Sequence, residues 1–317
     1  MTEGKPPVVG RTGHGPPGMD KRLSCRSISR VADSETLASK LTDLLRHIGL
    51  AGAGGGTVVM GGAGVRGLAD REVTVHLPPG FKAGGHNRLL LMLDGQTAPQ
   101  WRVREALAGM AAQGGAHAPV VAAVPASPER LDEYGTAGVC DFAGRGRRAK
   151  LFQDYLVYEV LPMVRERLRL EPGPEHTGIF GGSMGGLCAF DTAWRHPRVF
   201  GLAGAFSGSF WWRADDSTPA ARQASRIMHR RVRETKGRPP LRLWFQAGTD
   251  DEQADRDGNG VIDAIQDTRE LIQELAAKGF AEGRDRTYVE VSGGGHNEAT
   301  WARVLPEFLR WAWPRRS

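Results

Sequence analysis

The chain has 317 residues, of which 40% are apolar and 25% are charged, and its formal net charge is +6. This composition excludes a disordered chain, and no apolar run is long enough to span a bilayer. The basic residues cluster at 144–150 and 226–238 without interleaved aromatic residues or Cys/His finger spacing, so no nucleic-acid partner is predicted. Solvated arginine-rich surface, or a site for an anionic substrate, explains them instead.

The cysteines and the first residues indicate the cellular compartment. Cys25, Cys140 and Cys188 lie far apart and form no CxxC motif, which argues against a disulfide framework or a zinc site and suits a reducing compartment. Residues 1–22 contain no apolar core of a secretory signal. We therefore expect a cytoplasmic protein that is not bound to a membrane.

The first 70 residues are predicted to form an N-terminal extension, partly disordered and with one short helix. Residues 1–30 are rich in Pro, Gly and charge, which is typical of a mobile tail. Leucines at helical spacing, with Ser34 as a possible cap, predict the helix before Gly49. The glycine-rich stretch 51–67 is either a loop or a strand flanked by glycines.

Residues 71–317 are predicted to form the main domain, in which strands alternate with helices. The strands are predicted within 71–81, 88–96, 118–126, 176–180, 200–209, 241–248 and 286–293, and the helices at 151–170, 184–197, 265–280 and 300–313. Right-handed crossovers then give an α/β fold, with a mostly parallel sheet covered by helices on both faces.

Ser183 lies in a G-x-S-x-G motif between a predicted strand and a predicted helix. A serine on such a sharp turn needs small neighbours, because a β-carbon two residues away would collide with the adjoining element. The amide dipole of the helix that begins at Met184 favours a developing negative charge there. The motif predicts a nucleophile, and the alternative is a plain glycine-rich loop.

Two further strand ends carry the partners that a nucleophilic serine needs. Asp250, Asp251 and Glu252 follow one strand, and His296 follows another after three glycines, at a predicted loop tip. The chain order of serine, acid and histidine is the one expected in this architecture, with His296 as general base and one acid orienting it. The alternatives are a helix-capping acidic loop and a surface histidine.

The sequence also offers donors for an oxyanion. One donor is the backbone N–H of Met184, which follows the serine. The other is the amide of Gly95 or Gln96, in the loop after an early strand. Asp94 is interpreted as a turn former rather than a catalytic acid.

Six segments resemble, in order, the putative-esterase family of α/β-hydrolases, which includes enterochelin esterases, S-formylglutathione hydrolase and mycolyltransferases. They read LMLDGQ, VPASPERLDEYG, LVYEVLPMV, IFGGSMGGLCAF, FSGSFWW and GGGHNEATW. The resemblance covers residues 71 to 313 and is greatest to the enterochelin-esterase-like proteins. The N-terminal 70 residues, however, do not resemble the separate β-domain of full-length enterochelin esterases.

The resemblance implies an α/β-hydrolase fold and a serine esterase that acts on a small-molecule ester through an acyl-enzyme, without a required cofactor. It selects Asp251 as the acid, three residues after Gly248. The second oxyanion donor, taken from the loop after the early strand, is the Gln96 amide. The resemblance also places Arg130 and Tyr134 beside the active site, where Arg130 either binds an anionic or polar acyl group or forms a surface salt bridge. The alternatives are acyl transfer by the same triad, or a catalytically silent binding module of the hydrolase fold with a calcium loop.

Two further motifs each allow two interpretations. Phe210, Trp211 and Trp212 either line an acyl pocket or pack in the core, and of these Trp211 is the candidate substrate contact. The segment 255–263 matches an EF-hand-like loop with Gln266 where a bidentate Glu is normal, so it is either a structural Ca²⁺ loop or a tight turn that caps the next helix. The candidate ligands are Asp255, Asp257, Asn259, the carbonyl of Val261, and Asp263.

Overall fold

The structure, a computed structural model, describes residues 55–61, 65–113 and 118–314. In this part of the chain one eight-stranded sheet has the order β1-β2-β4-β3-β5-β6-β7-β8. Its strands are β1 Gly56–Gly61, β2 Glu72–Leu77, β3 Leu89–Leu93, β4 Val120–Val124, β5 Thr177–Gly182, β6 Leu202–Phe206, β7 Arg242–Asp250 and β8 Arg286–Gly295. The pairs β1/β2 and β2/β4 are antiparallel, and the other neighbours are parallel. The predicted α/β-hydrolase fold is confirmed.

Helices follow most of the parallel strands. They are α1 Val103–Ala112, α2 Arg130–Glu133, α3 Ala149–Tyr155, α4 Leu161–Leu168, α5 Met184–Arg195, α6 Pro219–Ala224, α7 Ile227–Glu234, α8 Asp263–Ala277 and α9 Glu298–Ala312. The helix predicted over 151–170 is a continuous helical stretch over 149–168, in which a π-helical turn, Leu156–Val160, lies between α3 and α4. Pro162 has no backbone N–H to continue the regular hydrogen-bond ladder, which accounts for the local π-helical geometry.

The core lies on both faces of the sheet. On one face, Phe190 of α5 contacts Phe245 of β7 at a ring-centroid distance of 5.6 Å. On the other, Trp101 packs edge-on against Phe206 at 4.9 Å, beside α9. Every residue of β3 is buried, as the continuous apolar run predicts for a strand covered on both faces.

The sheet extends across the predicted domain boundary at residue 71, because β1 pairs with β2. The stretch 51–67 therefore contains a strand, one of its two predicted alternatives. The predicted tail and the helix before Gly49 lie outside the described residues. Cys140 and Cys188 are free thiols. Within the described ranges, no helix is long and apolar enough to cross a membrane.

Candidate active site

Ser183 lies on the sharp turn between β5 and α5. Its backbone has φ 58° and ψ −127°, a conformation that a residue with a β-carbon adopts only under constraint. The constraint comes from its neighbours: its N–H donates to the carbonyl of Phe206 at 2.8 Å, and its carbonyl accepts from the N–H of Ser209 at 3.1 Å. The hydroxyl is half-buried and lies 3.5 Å from that of Ser209.

The glycines of the motif permit this turn. A β-carbon on Gly181 would lie 2.7 Å from the backbone of Gly185, so strand and helix approach too closely for any other residue. A β-carbon on Gly182 would lie 2.7 Å from the ring of Trp301. The sequence thus builds a turn that presents Ser183 at the carboxyl edge of the sheet, where reactive groups collect in such folds.

Asp251 follows β7 at the same edge and is 8% exposed. Its Oδ2 accepts from the backbone N–H of Gly248 at 3.0 Å, and its Oδ1 accepts from the hydroxyl of Ser207 at 3.1 Å. These two donors fix the orientation of the carboxylate. Asp250 and Glu252 differ from it: Asp250 is exposed and ends the strand, and burial raises the pKa of Glu252.

His296 follows β8 directly and is exposed. The strand predicted to end at residue 293 continues to Gly295, so Gly294 and Gly295 are not in a loop, and His296 lies in the short connection before α9. The reason is close contact between strands: a β-carbon on Gly248 would lie 2.1 Å from the carbonyl oxygen of Gly294. Asp250 pairs with Gly295 across the two strands. Asp251 and His296 each follow one of these paired residues.

The strand ends thus bring Ser183, Asp251 and His296 to one edge of the sheet, but their side chains are not bonded to one another. In the part of the chain that the structure covers, no hydrogen bond joins any two of these three side chains. His296 instead contacts Trp301, with ring centroids 5.5 Å apart and planes inclined by 76°. Catalytic hydrogen bonds are often long or absent before substrate binds.

Met184 and Gln96 follow two neighbouring strands, β5 and β3, at this edge. Met184 is the first residue of α5, so its N–H has no acceptor within its own helix. Gln96 belongs to the 3₁₀ turn Gly95–Thr97 directly after β3, and its side-chain oxygen accepts from the N–H of Ala126 at 2.9 Å. That bond fixes the turn against the loop after β4.

The guanidinium of Arg130 is paired with a carboxylate of the protein and is not left open to a ligand. Its Nε and Nη2 donate to the two carboxylate oxygens of Asp94 at 2.6 and 2.7 Å. Burial opposes its charge, but the hydrogen bonds and charge of Asp94 prevail and raise the pKa of the guanidinium. Tyr134 is fully buried below this pair, where its hydroxyl accepts from the N–H of Asp94 at 3.0 Å. Tyr134 therefore lies in the protein interior, away from any surface that a substrate can touch.

A cavity of about 170 Å³ is lined by Gly182, the residue before Ser183, and by the 3₁₀ turn that contains Gln96. Its polar walls are Asp94, Arg130 and Glu298, and its apolar walls are Trp101 and Trp301. This volume can hold a small chemical group.

The three aromatic residues after β6 divide between core and surface. Phe210 and Trp212 are buried, and the ring of Trp212 fills the space beside Gly135, where a β-carbon would lie 2.7 Å away. Trp211 is half-exposed and lies under the guanidinium of Arg145, with 5.3 Å between the guanidinium carbon and the ring centroid. Of the three, Trp211 alone offers surface to a ligand.

The segment 255–263 closes on itself through side-chain to backbone hydrogen bonds. Asp255 Oδ2 accepts from the N–H of Gly260 at 2.9 Å, and Gln266 Nε2 donates to Asp257 Oδ2 at 2.9 Å. Asp263 accepts from the N–H of Arg256 at 3.0 Å and forms an ion pair with its guanidinium at 3.2 Å. The side-chain oxygens of Asp255, Asp257 and Asn259 accept from backbone N–H groups of this turn, including that of Val261, whereas Asp263 is held by a cation.

A second polar cluster, not foreseen from the sequence, lies between α7 and α8. His229, Asp267 and Glu270 bring ligand atoms within 4.8 Å of one another. However, Arg226 contacts both carboxylates, and Arg256 reaches Asp267 at 2.6 Å. Two guanidinium groups thus neutralise the two carboxylates, and we interpret the cluster as an ion-pair network.

Sequence reasoning also missed Ser207 and Trp301 as neighbours of the site. Trp301 Nε1 donates to the hydroxyl of Ser207 at 2.9 Å, and Ser207 in turn donates to Asp251. The available signal was the position of Ser207, which follows a buried strand just as Ser183 and Asp251 do.

Known proteins resemble this chain in sequence and in fold. Residues 68–312 match the sequence model of a family described as Putative esterase. The protein YbbA of Bacillus subtilis (strain 168) is 22% identical over 253 residues, which are 76% of this chain and 92% of YbbA.

Solved structures share the fold at low sequence identity. The ferric enterobactin esterase of Salmonella typhimurium is 21% identical with a TM-score of 0.63, over 81% of this chain and 58% of that one. The siderophore hydrolase EstA of Aspergillus nidulans is 16% identical with a TM-score of 0.60, over 83% of this chain and 96% of that one. This chain thus spans little more than half the length of the enterobactin esterase.

Proposed function

Because this chain belongs to the putative-esterase family, we propose that it is a serine hydrolase of carboxylic esters. Ser183 is the nucleophile, His296 the general base, and Asp251 the acid that orients the histidine. The observation that carries this proposal is the constrained backbone of Ser183, at φ 58°, on a turn between β5 and α5. A protein keeps such strain where the surroundings require it, and strained residues cluster at active sites.

The reaction follows from the roles of these groups. Ser183 Oγ attacks the ester carbonyl carbon while His296 accepts the hydroxyl proton, and the carbonyl oxygen becomes an oxyanion. The N–H groups of Met184 and Gln96 stabilise that charge. His296 then protonates the leaving alkoxide, and an acyl-serine remains. Water, deprotonated by His296, releases the acid and restores the serine, so no cofactor is consumed.

The pairing of β7 with β8 supports the roles of Asp251 and His296. Because Asp250 pairs with Gly295, the residues that follow them start from neighbouring positions. His296 is exposed and can rotate, whereas Asp251 is fixed by Gly248 and Ser207. A small rearrangement of His296 on substrate binding completes the triad.

The substrate is proposed to be a small-molecule ester. The neighbouring cavity of about 170 Å³ admits a compact group. The charge of Arg130, in the cavity wall, is already neutralised by Asp94, and Glu298 adds a further carboxylate to the wall. The cavity therefore does not favour a highly anionic group. Siderophore esters, suggested by the names of two structural neighbours, belong in the first substrate panel beside neutral aromatic and aliphatic esters.

The test is hydrolysis of short p-nitrophenyl esters and labelling with a fluorophosphonate probe, which reacts only with an activated serine. We expect the wild type to hydrolyse and to be labelled, and Ser183→Ala to do neither. Ser292→Ala, which removes an exposed hydroxyl from β8, is the matched control and should behave as wild type. Retained hydrolysis in Ser183→Ala would falsify the assignment.

The same experiment decides the two alternatives. Absence of labelling in the wild type would favour a silent binding module of the hydrolase fold. Labelling with slow hydrolysis, and product transfer to an added alcohol or thiol, would favour an acyltransferase that uses the same residues.

A further inference from the structure

A buried chain of hydrogen bonds joins α9 to the acid at the end of β7. The indole Nε1–H of Trp301 donates to Ser207 Oγ at 2.9 Å, and Ser207 Oγ–H donates to Asp251 Oδ1 at 3.1 Å. The direction is fixed by chemistry, because an indole nitrogen only donates and an ionised carboxylate only accepts. The single proton of the Ser207 hydroxyl must therefore point to Asp251.

All three residues of this hydrogen-bond chain are buried. Ser207 is 3% exposed, Trp301 6% and Asp251 8%, so water has little access to any of its bonds. In such surroundings a hydrogen bond to a charged acceptor is strong, and loss of one donor leaves the acceptor without compensation. The chain is thus able to fix the orientation of the Asp251 carboxylate.

Ser207 also has a constrained backbone. Its φ is 45°, which is unfavourable for a residue with a β-carbon, and its N–H is held by the carbonyl of Gln246 at 2.7 Å. Ser207 follows β6, between the strands that carry Ser183 and Asp251. Its conformation directs the hydroxyl to the acid rather than to solvent.

Trp301 also contacts His296 and Gly182, the residue before Ser183. Its ring lies against Gly182, where a β-carbon would be only 2.7 Å away, and it meets the ring of His296 edge-on at 5.5 Å. One side chain therefore touches the residue before the serine, the histidine, and the hydroxyl that holds the acid.

We propose that Ser207 and Trp301 are positioning residues, which hold Asp251 and His296 in register with Ser183. This inference rests on the proposed function, because it assigns no chemistry of its own to either residue. Without these two hydrogen bonds, Asp251 is less well placed to stabilise the His296 imidazolium that forms as Ser183 attacks. The chemical step slows, while the surface that binds the ester is unchanged.

The test compares Ser207→Ala and Trp301→Phe, which retain the packing and delete one link each. We expect kcat to fall about 10- to 100-fold, with KM within about twofold of wild type. The acidic limb of the pH dependence of kcat/KM should move to lower pH by about half a unit, because a poorly stabilised imidazolium loses its proton more easily. The double variant should lose little more than the worse single variant, since both act through one chain.

Trp244→Phe is the matched control. Trp244 is also buried, at 1% exposure, and its Nε1 has no hydrogen-bond partner among the described residues. It lies in β7, the strand that leads to the acid. Loss of that N–H should leave kcat and the pH profile within twofold of wild type.

The failure of this inference differs from failure of the proposed function. A wild type that is not labelled by fluorophosphonate overturns the proposed function. A labelled, active wild type whose Ser207→Ala variant retains its kcat and its acidic limb overturns the positioning role. Because Ser207→Ala removes a single oxygen atom, it decides the question even if Trp301→Phe does not fold.

Discussion

Arg130 and Asp94 form a two-bond ion pair at the wall of the cavity beside Ser183, with Nε to Oδ1 at 2.6 Å and Nη2 to Oδ2 at 2.7 Å. The two side chains are 29% and 12% exposed, so the pair is only partly screened by water. Asp94 has a left-handed backbone, φ 55°, and directly precedes the turn that contains Gln96. The pair therefore fixes one wall of the site.

We predict that Arg130→Met lowers the free energy of unfolding by about 1 to 3 kcal/mol, because it leaves the buried carboxylate of Asp94 without its partner. Urea denaturation measures this. The matched control is Arg147→Met, which breaks an exposed pair with Asp132 and should cost less than about 1 kcal/mol. Equal losses in the two variants would show that the Arg130 pair is no more than a surface salt bridge.

The close contact of β7 with β8 gives a second prediction. Gly248→Ala places a β-carbon 2.1 Å from the carbonyl oxygen of Gly294, so the two strands must separate where they lead to Asp251 and His296. We expect ester hydrolysis to fall about 10- to 100-fold, because small displacements of catalytic groups have effects of this size.

The control for this variant is Gly109→Ala in α1, where an added β-carbon meets nothing within 4 Å. This change should leave hydrolysis unaltered and raise the free energy of unfolding by about 0.5 to 1 kcal/mol, as expected for alanine in a helix interior. If Gly248→Ala hydrolyses esters as fast as Gly109→Ala does, the strand contact does not position the site.

The sequence predicts the order of strands and helices well, because apolar periodicity and turn residues are local signals. It predicts less well where distant segments decide the structure. The sequence predicts that the strand before His296 ends at residue 293, but pairing with β7 extends β8 to Gly295, where Gly248 and Gly294 are in close contact. Ser207 was not found as a partner of Asp251 for the same reason: its bond spans 44 residues, and only the fold brings the two together.

The loop at 255–263 gives a third prediction, on calcium. Asp255 accepts from the N–H of Gly260, Asp257 accepts from the side chain of Gln266, and Asp263 is paired with Arg256; position 12 is the neutral Gln266. We expect any Ca²⁺ binding by the wild type to have a Kd of about 1 mM or weaker, because these carboxylates already have partners and the bidentate ligand is missing.

Gln266→Glu supplies a carboxylate at that position and should tighten Ca²⁺ binding at least about tenfold in calorimetric titration. Mg²⁺, which demands stricter geometry, is the control ion and should not show the same gain. No heat and no melting shift with Ca²⁺ in either protein would contradict the calcium hypothesis and leave the loop as a turn that caps α8.

The last prediction concerns the dependence of stability on pH. Burial, and then the charge of Arg226, lower the pKa of His229 from 6.5 to about 3. The folded state therefore keeps this ring neutral at pH values where the unfolded chain binds a proton. The stabilising contribution is complete above pH 6.5 and is lost as pH falls towards 3, at up to about 1.4 kcal/mol per pH unit.

Urea denaturation at about pH 7 and about pH 5.5 should show a smaller loss of unfolding free energy in His229→Gln than in wild type. His86→Gln alters a histidine whose side chain is 86% exposed, and it should retain the wild-type slope. An unchanged slope in His229→Gln would mean that the imidazole is not held neutral in the fold.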